Sequence, residues 1–188
     1  MTLVTIYVDG SLRQCGAAGA GGYVVRDGVR TTLSLALSRR YPDSSHAEIA
    51  AVGAVVWKAG KLGLIRPGDR LLVVTDSQGA IGYLMGKATT RKKRVGWKIT
   101  PPETRKKGQP RRKPIYEDRP RNPVLVDLAA KARQMIVDLG AELAEVRWTK
   151  GHAGGGTKQS WVNEAVDKAA KAASHKARQR PPGSSSAK

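Results

Sequence analysis

The 188-residue sequence has no phenylalanine and a single cysteine, Cys15. One thiol cannot close an internal disulfide, and a reducing compartment is consistent with that. Without Phe, the core has to be filled by Leu, Ile, Val, Trp and Tyr. Long apolar runs are also missing. None approaches the ~20 residues a membrane span needs. Met1-Thr2-Leu3-Val4 puts no basic stretch ahead of an apolar one, so neither a membrane anchor nor a signal peptide is expected, and the expected setting is cytoplasmic. Acids are scarce as well: 15 Asp and Glu stand against 34 Lys and Arg, a formal net charge of +19. That excess points to a polyanionic partner, with nucleic acid ahead of an acidic membrane surface. Hydrophobic residues make up 40% of the chain, enough for a core, and the length fits one domain with appendages.

The few acids gain meaning from their positions. Leu3-Val4-Thr5-Ile6-Tyr7-Val8 is β-branched and apolar and runs into Asp9-Gly10-Ser11, a strand ending in a turn. Leu71-Leu72-Val73-Val74-Thr75 ends the same way in Asp76-Ser77, and Glu48 lies in the first turn of an apolar helix. An acid at the end of a buried strand is costly unless it is paired or holds a metal. Asp9, Glu48 and Asp76 are therefore candidates for one cluster. Asp167 lies in the last helix, four residues after Asn163 and on the same face.

Taken in order, strands are expected at 3–9, 21–26 and 30–38, with a Gly/Ala-rich turn at 13–22 and a hairpin at Asp27-Gly28. The glycines do not match the dinucleotide-binding G-x-G-x-x-G pattern, and a strand follows them rather than a helix. Pro42-Asp43-Ser44-Ser45 caps a helix from His46 to Gly60 that turns Ile49, Val52, Val55 and Val56 to the core. A fourth strand at 70–75 and a helix over 77–85 follow. Helical spacing returns from Pro123 to Leu139, with Val124, Leu128, Ala132, Met135 and Leu139 as the apolar stripe. A fifth strand is expected at 142–148, a Gly-rich loop at 149–160, a helix at 161–173 and a disordered basic tail at 174–188. The strand–helix–strand crossover makes part of the sheet parallel, so the fold class is α/β. Residues 87–121 form a basic insert with fourteen basic residues and three acids, +11 of the total. Its prolines and glycine break any long helix, and Trp97 among Lys92, Lys93, Arg94 and Lys98 suits a phosphate-and-stacking surface.

Four carboxylates in one site need cations to offset their repulsion, and oxygen-only donors select Mg²⁺ or Mn²⁺. Two such ions would clamp the attacking and leaving oxygens of a phosphodiester displacement. Taken singly, each acid could instead be a turn or helix cap.

At this point the sequence resembles type 1 ribonuclease H. The matching pieces are Val8-Asp9-Gly10-Ser11, Ala47-Glu48, Val74-Thr75-Asp76-Ser77-Gln78, Arg94-x-Gly96-Trp97-Lys98, Trp148-x-Lys150-Gly151-His152-Ala153-Gly154 and Asn163-x-x-x-Asp167. The resemblance implies a mixed five-stranded sheet, three antiparallel strands then parallel ones, flanked by helices. It implies an enzyme that cleaves the RNA strand of an RNA–DNA hybrid, leaving 5′-phosphate and 3′-hydroxyl ends. A monomer is expected because no exposed apolar stripe is left unassigned. Asp9, Glu48, Asp76 and Asp167 resemble the family's metal-binding set, for two Mg²⁺ ions with Mn²⁺ as an alternative, and His152 resembles its mobile catalytic histidine. Ser11, Ser45, Gln78 and Asn163, with Lys92, Lys93, Arg94, Trp97 and Lys98, resemble substrate-contacting positions. The sequence departs from the pattern at Ser44-Ser45, where the family often carries Asn, in a longer loop between His152 and Asp167, and in a longer basic segment. A catalytically silent binding module on the same fold, or another nuclease, integrase or transposase, is the alternative.

Overall fold

The computed structural model describes residues 1–86, 90–99, 104, 112–120, 122–149 and 158–179. It divides into two compact units, Met1–Lys87 with Val124–Lys188, and Ala88–Pro123.

The first unit is built on a five-stranded sheet of order β3-β2-β1-β4-β7. Its strands are β1 (Leu3–Leu12), β2 (Ala17–Arg26), β3 (Val29–Arg40), β4 (Arg70–Thr75) and β7 (Glu142–Trp148). β1 pairs antiparallel with β2 and β2 with β3, whereas β4 runs parallel to both β1 and β7. This is the mixed sheet the sequence implies.

Alternation along β1 divides its side chains between two layers. Val4, Ile6 and Val8 are buried in the main core with Ile49, Val52, Val55 and Val56 of α1 (Ser44–Lys61). Tyr7 and Tyr23 join a smaller cluster with Val162 and Val166 of α4 (Lys158–Arg178). α1 starts at Ser44, two residues before the expected His46, with Asp43 as its N-cap: the Asp43 side chain accepts the His46 backbone N–H at 3.0 Å, and Glu48 falls beyond the first turn. α2 (Gln78–Leu84) is capped by Ser77 rather than Asp76, since the Ser77 side chain accepts the Ala80 N–H at 3.2 Å.

Four expectations shift. β2 begins at Ala17, four residues before Gly21, so most of the glycine-rich turn is strand. α3 (Pro123–Asp138) buries Leu125, Ala129, Ala132 and Ile136, while Val124 and Met135 of the expected stripe are exposed. The rest of that stripe does face the core: Leu128 and Leu139 pack against it, and Gly53 of α1 faces Ala132 and Met135 while Gly60 faces Leu139. α4 extends beyond both expected ends, and Ser174, assigned to the tail, is fully buried. The basic insert contains secondary structure of its own.

That secondary structure makes up the second unit, a hairpin of β5 (Thr90–Ile99) and β6 (Arg112–Pro120). The strands pair antiparallel, with Trp97 opposite Pro114 and Arg94 opposite Tyr116, and an irregularity between Arg94 and Gly96. Among the described residues, no helix is long and apolar enough to cross a membrane.

Candidate active site

Three close backbone approaches assemble the site, and glycine permits each one. Tyr7 of β1 lies beside Val74 of β4 in parallel register, so two residues on, Asp9 comes level with Asp76; β4 ends at Thr75, but β1 runs on to Leu12, so Asp9 lies within its strand and not at the expected end. Gly10 follows Asp9. A Cβ there would lie 2.8 Å from the Ala47 carbonyl and from Glu48 Cα, so the first turns of α1 rest on bare β1 backbone. That approach brings Glu48 beside this stretch of β1. On β2, Gly21 pairs with Asp9, and a Cβ on Gly21 would fall 2.0 Å from the Val166 carbonyl oxygen. α4 therefore lies directly on the sheet, with Asp167 one residue from that point. Gly19 admits the next turns, where its Cβ would meet Ala170 and Ser174 backbone.

The electrostatics agree with this geometry. Burial pushes the Asp9 carboxyl up to about 7, with Asp76, Asp167 and Glu48 adding repulsion and the Gly10 backbone N–H partly offsetting it. Glu48 is also raised, first by burial and then by Asp76 and Asp43, against a hydrogen bond from Ser77 that favours the charged form. Lys171 Nζ lies 2.7 Å from Asp167 Oδ2.

Further hydrogen bonds anchor the backbone around these acids. The Trp148 indole N–H donates to the Asp76 carbonyl at 3.1 Å, and the Thr149 N–H donates to the Thr75 carbonyl at 3.0 Å. The Ser77 N–H donates to Thr75 Oγ1 at 3.2 Å. Ser77 thus caps α2 and also favours the charged form of Glu48. Sequence reasoning missed that second influence, as it missed Trp148 as an anchor and Gly19 and Gly21 as a helix seat. The available signal was the alternation of Gly19 and Gly21, which marks close approach on one face of a strand.

The other expected residues are distributed as follows. Ser11 Oγ lies 3.4 Å from Ser174 Oγ, which also accepts from Arg13 Nε at 3.1 Å. Ser45 is half-buried in the first turn of α1, and Gln78 is exposed at the start of α2. The Asn163 side-chain amide donates to Thr149 Oγ1 at 3.4 Å. In the hairpin, the Arg94 guanidinium lies over the half-exposed Trp97 ring, 4.8 Å from its centroid, and Lys98 is exposed. Lys92 and Lys93 lie on β5 by backbone, and their side chains fall outside the described residues, as does His152.

The four acids are all oxygen donors, which suits a hard divalent cation. The raised Asp9 carboxyl means that the site favours added positive charge. As the side chains stand, no group of three or more His, Cys, Asp or Glu among the described residues is gathered so as to hold a metal ion.

A family model described as RNase H matches residues 1–175. No curated protein matches the chain in sequence. Among solved structures, the chain is similar to RNase H1 from the halophilic archaeon Halobacterium salinarum NRC-1, at 19% identity and a TM-score of 0.59, covering 93% of this chain and 98% of that one. It is similar to the N-terminal RNase H domain of a Mycobacterium tuberculosis protein at 20% identity and a TM-score of 0.57, covering 95% and 98%. It is also similar to LC11-RNase H1 in complex with an RNA/DNA hybrid, at 15% identity and a TM-score of 0.57, covering 94% and 99%. At these identities the likeness is one of fold.

Proposed function

The chain belongs to the RNase H family, and from that premise we propose that it cleaves the RNA strand of RNA–DNA hybrids using two divalent cations, preferably Mg²⁺. The products would carry 5′-phosphate and 3′-hydroxyl ends. The observation that carries this reading is the Asp9 carboxyl, raised to about 7 within β1 by burial and by three other acids. A structural capping acid has no need of such neighbours. A cluster that repels itself favours a cation.

Asp9, Glu48, Asp76 and Asp167 would hold the ions, which when bound supply Lewis-acid activation of water and charge stabilisation at the leaving oxygen. The remaining work falls to this chain's own residues. Ser77 favours the ionised form of Glu48 and partly offsets the effect of burial. Trp148 holds the Asp76 backbone through the indole N–H. Lys171 pairs with Asp167 and offsets its charge. His152 would assist proton transfer or product release, so His152→Ala should slow turnover by ~10²–10⁴-fold without ending it. Ser11, Ser45, Gln78 and Asn163 would contact the hybrid near the acids, where hydroxyl and amide groups can read a 2′-hydroxyl. Arg94, Trp97 and Lys98, with Lys92 and Lys93, would hold its phosphates.

The test is cleavage of a labelled RNA–DNA hybrid beside duplex DNA and duplex RNA, in Mg²⁺, in Mn²⁺ and in EDTA. Hybrid-only, metal-dependent cleavage with 5′-phosphate products is expected. Binding without cleavage would make the chain a silent module, and cleavage of duplex DNA would make it a different nuclease on this fold.

A further inference from the structure

A cavity of about 440 Å³ lies between the sheet and the start of α4. Its lining comes from three strands and one helix: Thr5 and Tyr7 of β1, Tyr23 and Val25 of β2, Arg30 of β3, and Trp161 and Val162 of α4. Register accounts for the grouping, since Thr5 pairs with Val25, Tyr7 with Tyr23, and Val25 with Arg30. The volume falls within the ~300–1,000 Å³ typical of small-ligand sites. None of these residues belongs to the carboxylate cluster.

The aromatic rings are arranged edge to face. Tyr7 and Tyr23 have centroids 6.2 Å apart at 67°, and Tyr23 and Trp161 are 5.7 Å apart at 88°. Trp161 is 56% exposed, an unusual amount of indole for a residue that reaches a core tyrosine. Tyr23 is buried, yet among the described residues neither its hydroxyl nor that of Tyr7 has a protein hydrogen-bond partner. Arg30 is exposed, and among the described residues no carboxylate lies within ion-pair distance of it.

The cavity therefore offers flat apolar walls, hydroxyls able to donate or accept, and one unneutralised guanidinium. An apolar ligand would waste the guanidinium and hydroxyls, and a plain anion would waste the rings. A planar heterocycle with polar edges and an attached phosphate uses all three. We propose that this cavity binds a nucleoside monophosphate moiety, its base against Tyr7, Tyr23 and Trp161 and its phosphate on Arg30. A base inside a duplex cannot enter, so the moiety is either a free nucleotide or an unpaired nucleotide at a strand end. The inference stands on the cavity alone and does not depend on hybrid cleavage.

Titrating the full chain with AMP, with adenosine and with ribose 5-phosphate separates base from phosphate recognition. AMP should saturate, and it should bind more tightly than either fragment. Arg30→Gln should weaken AMP by ~10-fold or more, as expected when a charge-assisted hydrogen bond is removed, and leave adenosine unchanged. Trp161→Leu should weaken AMP and adenosine alike by ~10-fold, the scale of removing one stacking partner. Arg30 is exposed, so its variant should fold even if the Trp161 variant does not. A second arm uses the Asp9→Asn background and compares a blunt hybrid with one bearing a single unpaired adenosine. An overhang advantage that Trp161→Leu removes identifies the strand end as the source. AMP binding without an overhang advantage identifies the free nucleotide. No saturable AMP binding, or AMP binding equal in wild type and both variants, overturns the proposal.

Discussion

Asp9 sits where a single methyl group on its strand partner Gly21 would collide with the α4 backbone. Trp97, in the hairpin, is half exposed, with Arg94 stacked over its face. The carboxylates are held by backbone packed on backbone, inside a unit with a fully buried core on one side of the sheet. The hairpin has two strands and leaves Val95, Trp97, Ile99, Ile115 and Tyr116 largely exposed. A lone two-stranded ribbon is marginally stable in water. The difference teaches where precision is needed. If the acids share cations as proposed, placing like charges together requires a scaffold that cannot relax. If the hairpin grips a phosphate backbone as proposed, charge and aromatic surface suffice and looser geometry is tolerated.

The comparison is tested most severely at Asp9. Asp9→Asn should cut hybrid turnover by ~10³-fold or more, the scale of losing transition-state charge stabilisation. The same variant should melt higher than wild type in metal-free buffer above pH 7, because a buried, repelled charge has gone. Both are read from one preparation, by cleavage kinetics and by calorimetry. An unchanged turnover would remove Asp9 from the site.

Next come two glycines, one in each region. Gly21→Ala puts a Cβ 2.0 Å from the Val166 carbonyl oxygen and should cost ~3 kcal/mol or more of stability. Gly96→Ala meets only the end of the Ile115 side chain, at 4.0 Å, and should be close to neutral. Equal melting temperatures for the two variants would break the contrast. Replacing residues 90–120 with a short Gly-Ser link probes the hairpin as a whole. For every phosphate that the shortened protein no longer neutralises, the slope of log affinity against log salt should fall by ~0.9. Turnover at saturating substrate should survive, and its loss in a folded variant would give the hairpin a part in the chemistry.

Protonation gives a milder effect. The folded Asp9 carboxyl titrates near 7 and the unfolded one near the ordinary value of 3.8. Between those values the folded state binds more protons, so stability falls as pH rises through that window and is recovered on acidification. Metal-free protein should melt higher at pH 5 than at pH 7.5, and Asp9→Asn should flatten the difference. Divalent cations should raise the melting temperature more at the higher pH, where the site is charged. A small effect is expected from Ser77→Ala, which removes the α2 cap at a cost of ~1 kcal/mol. It also frees Glu48 to titrate higher, so the acid limb of the pH–rate profile should move upward. A stability loss with no shift of that limb would leave Ser77 a cap alone.

Much of the carboxylate site was legible in the sequence. Asp76 closes an apolar strand, Asp9 follows an apolar run although its strand continues to Leu12, and Glu48 and Asp167 each sit on a helix. Strand alternation and turn residues are local signals, and they survive without knowledge of the partner. The α3 stripe was read in part: Leu128, Ala132 and Leu139 face the core, while Leu125, Ala129 and Ile136 widen the buried face and Val124 and Met135 fall outside it. The hairpin was read as charge without structure, since prolines and a glycine break its pattern while cross-strand register lies outside any local window.

The sequence by itself determined the five strands of the main sheet to within a few residues, the acids that follow apolar runs, a helix cap within Pro42–Ser45 and a charge suited to nucleic acid. These follow from neighbours in the chain. Only the tertiary structure decided that Gly10, Gly19 and Gly21 are seats for helices, that α4 continues far enough to bury Ser174, and that Trp161 overhangs a cavity beside Arg30. The physical reason is the same in each case. A missing side chain has no meaning until another segment fills its place, and an exposed or buried surface is defined by what lies across from it.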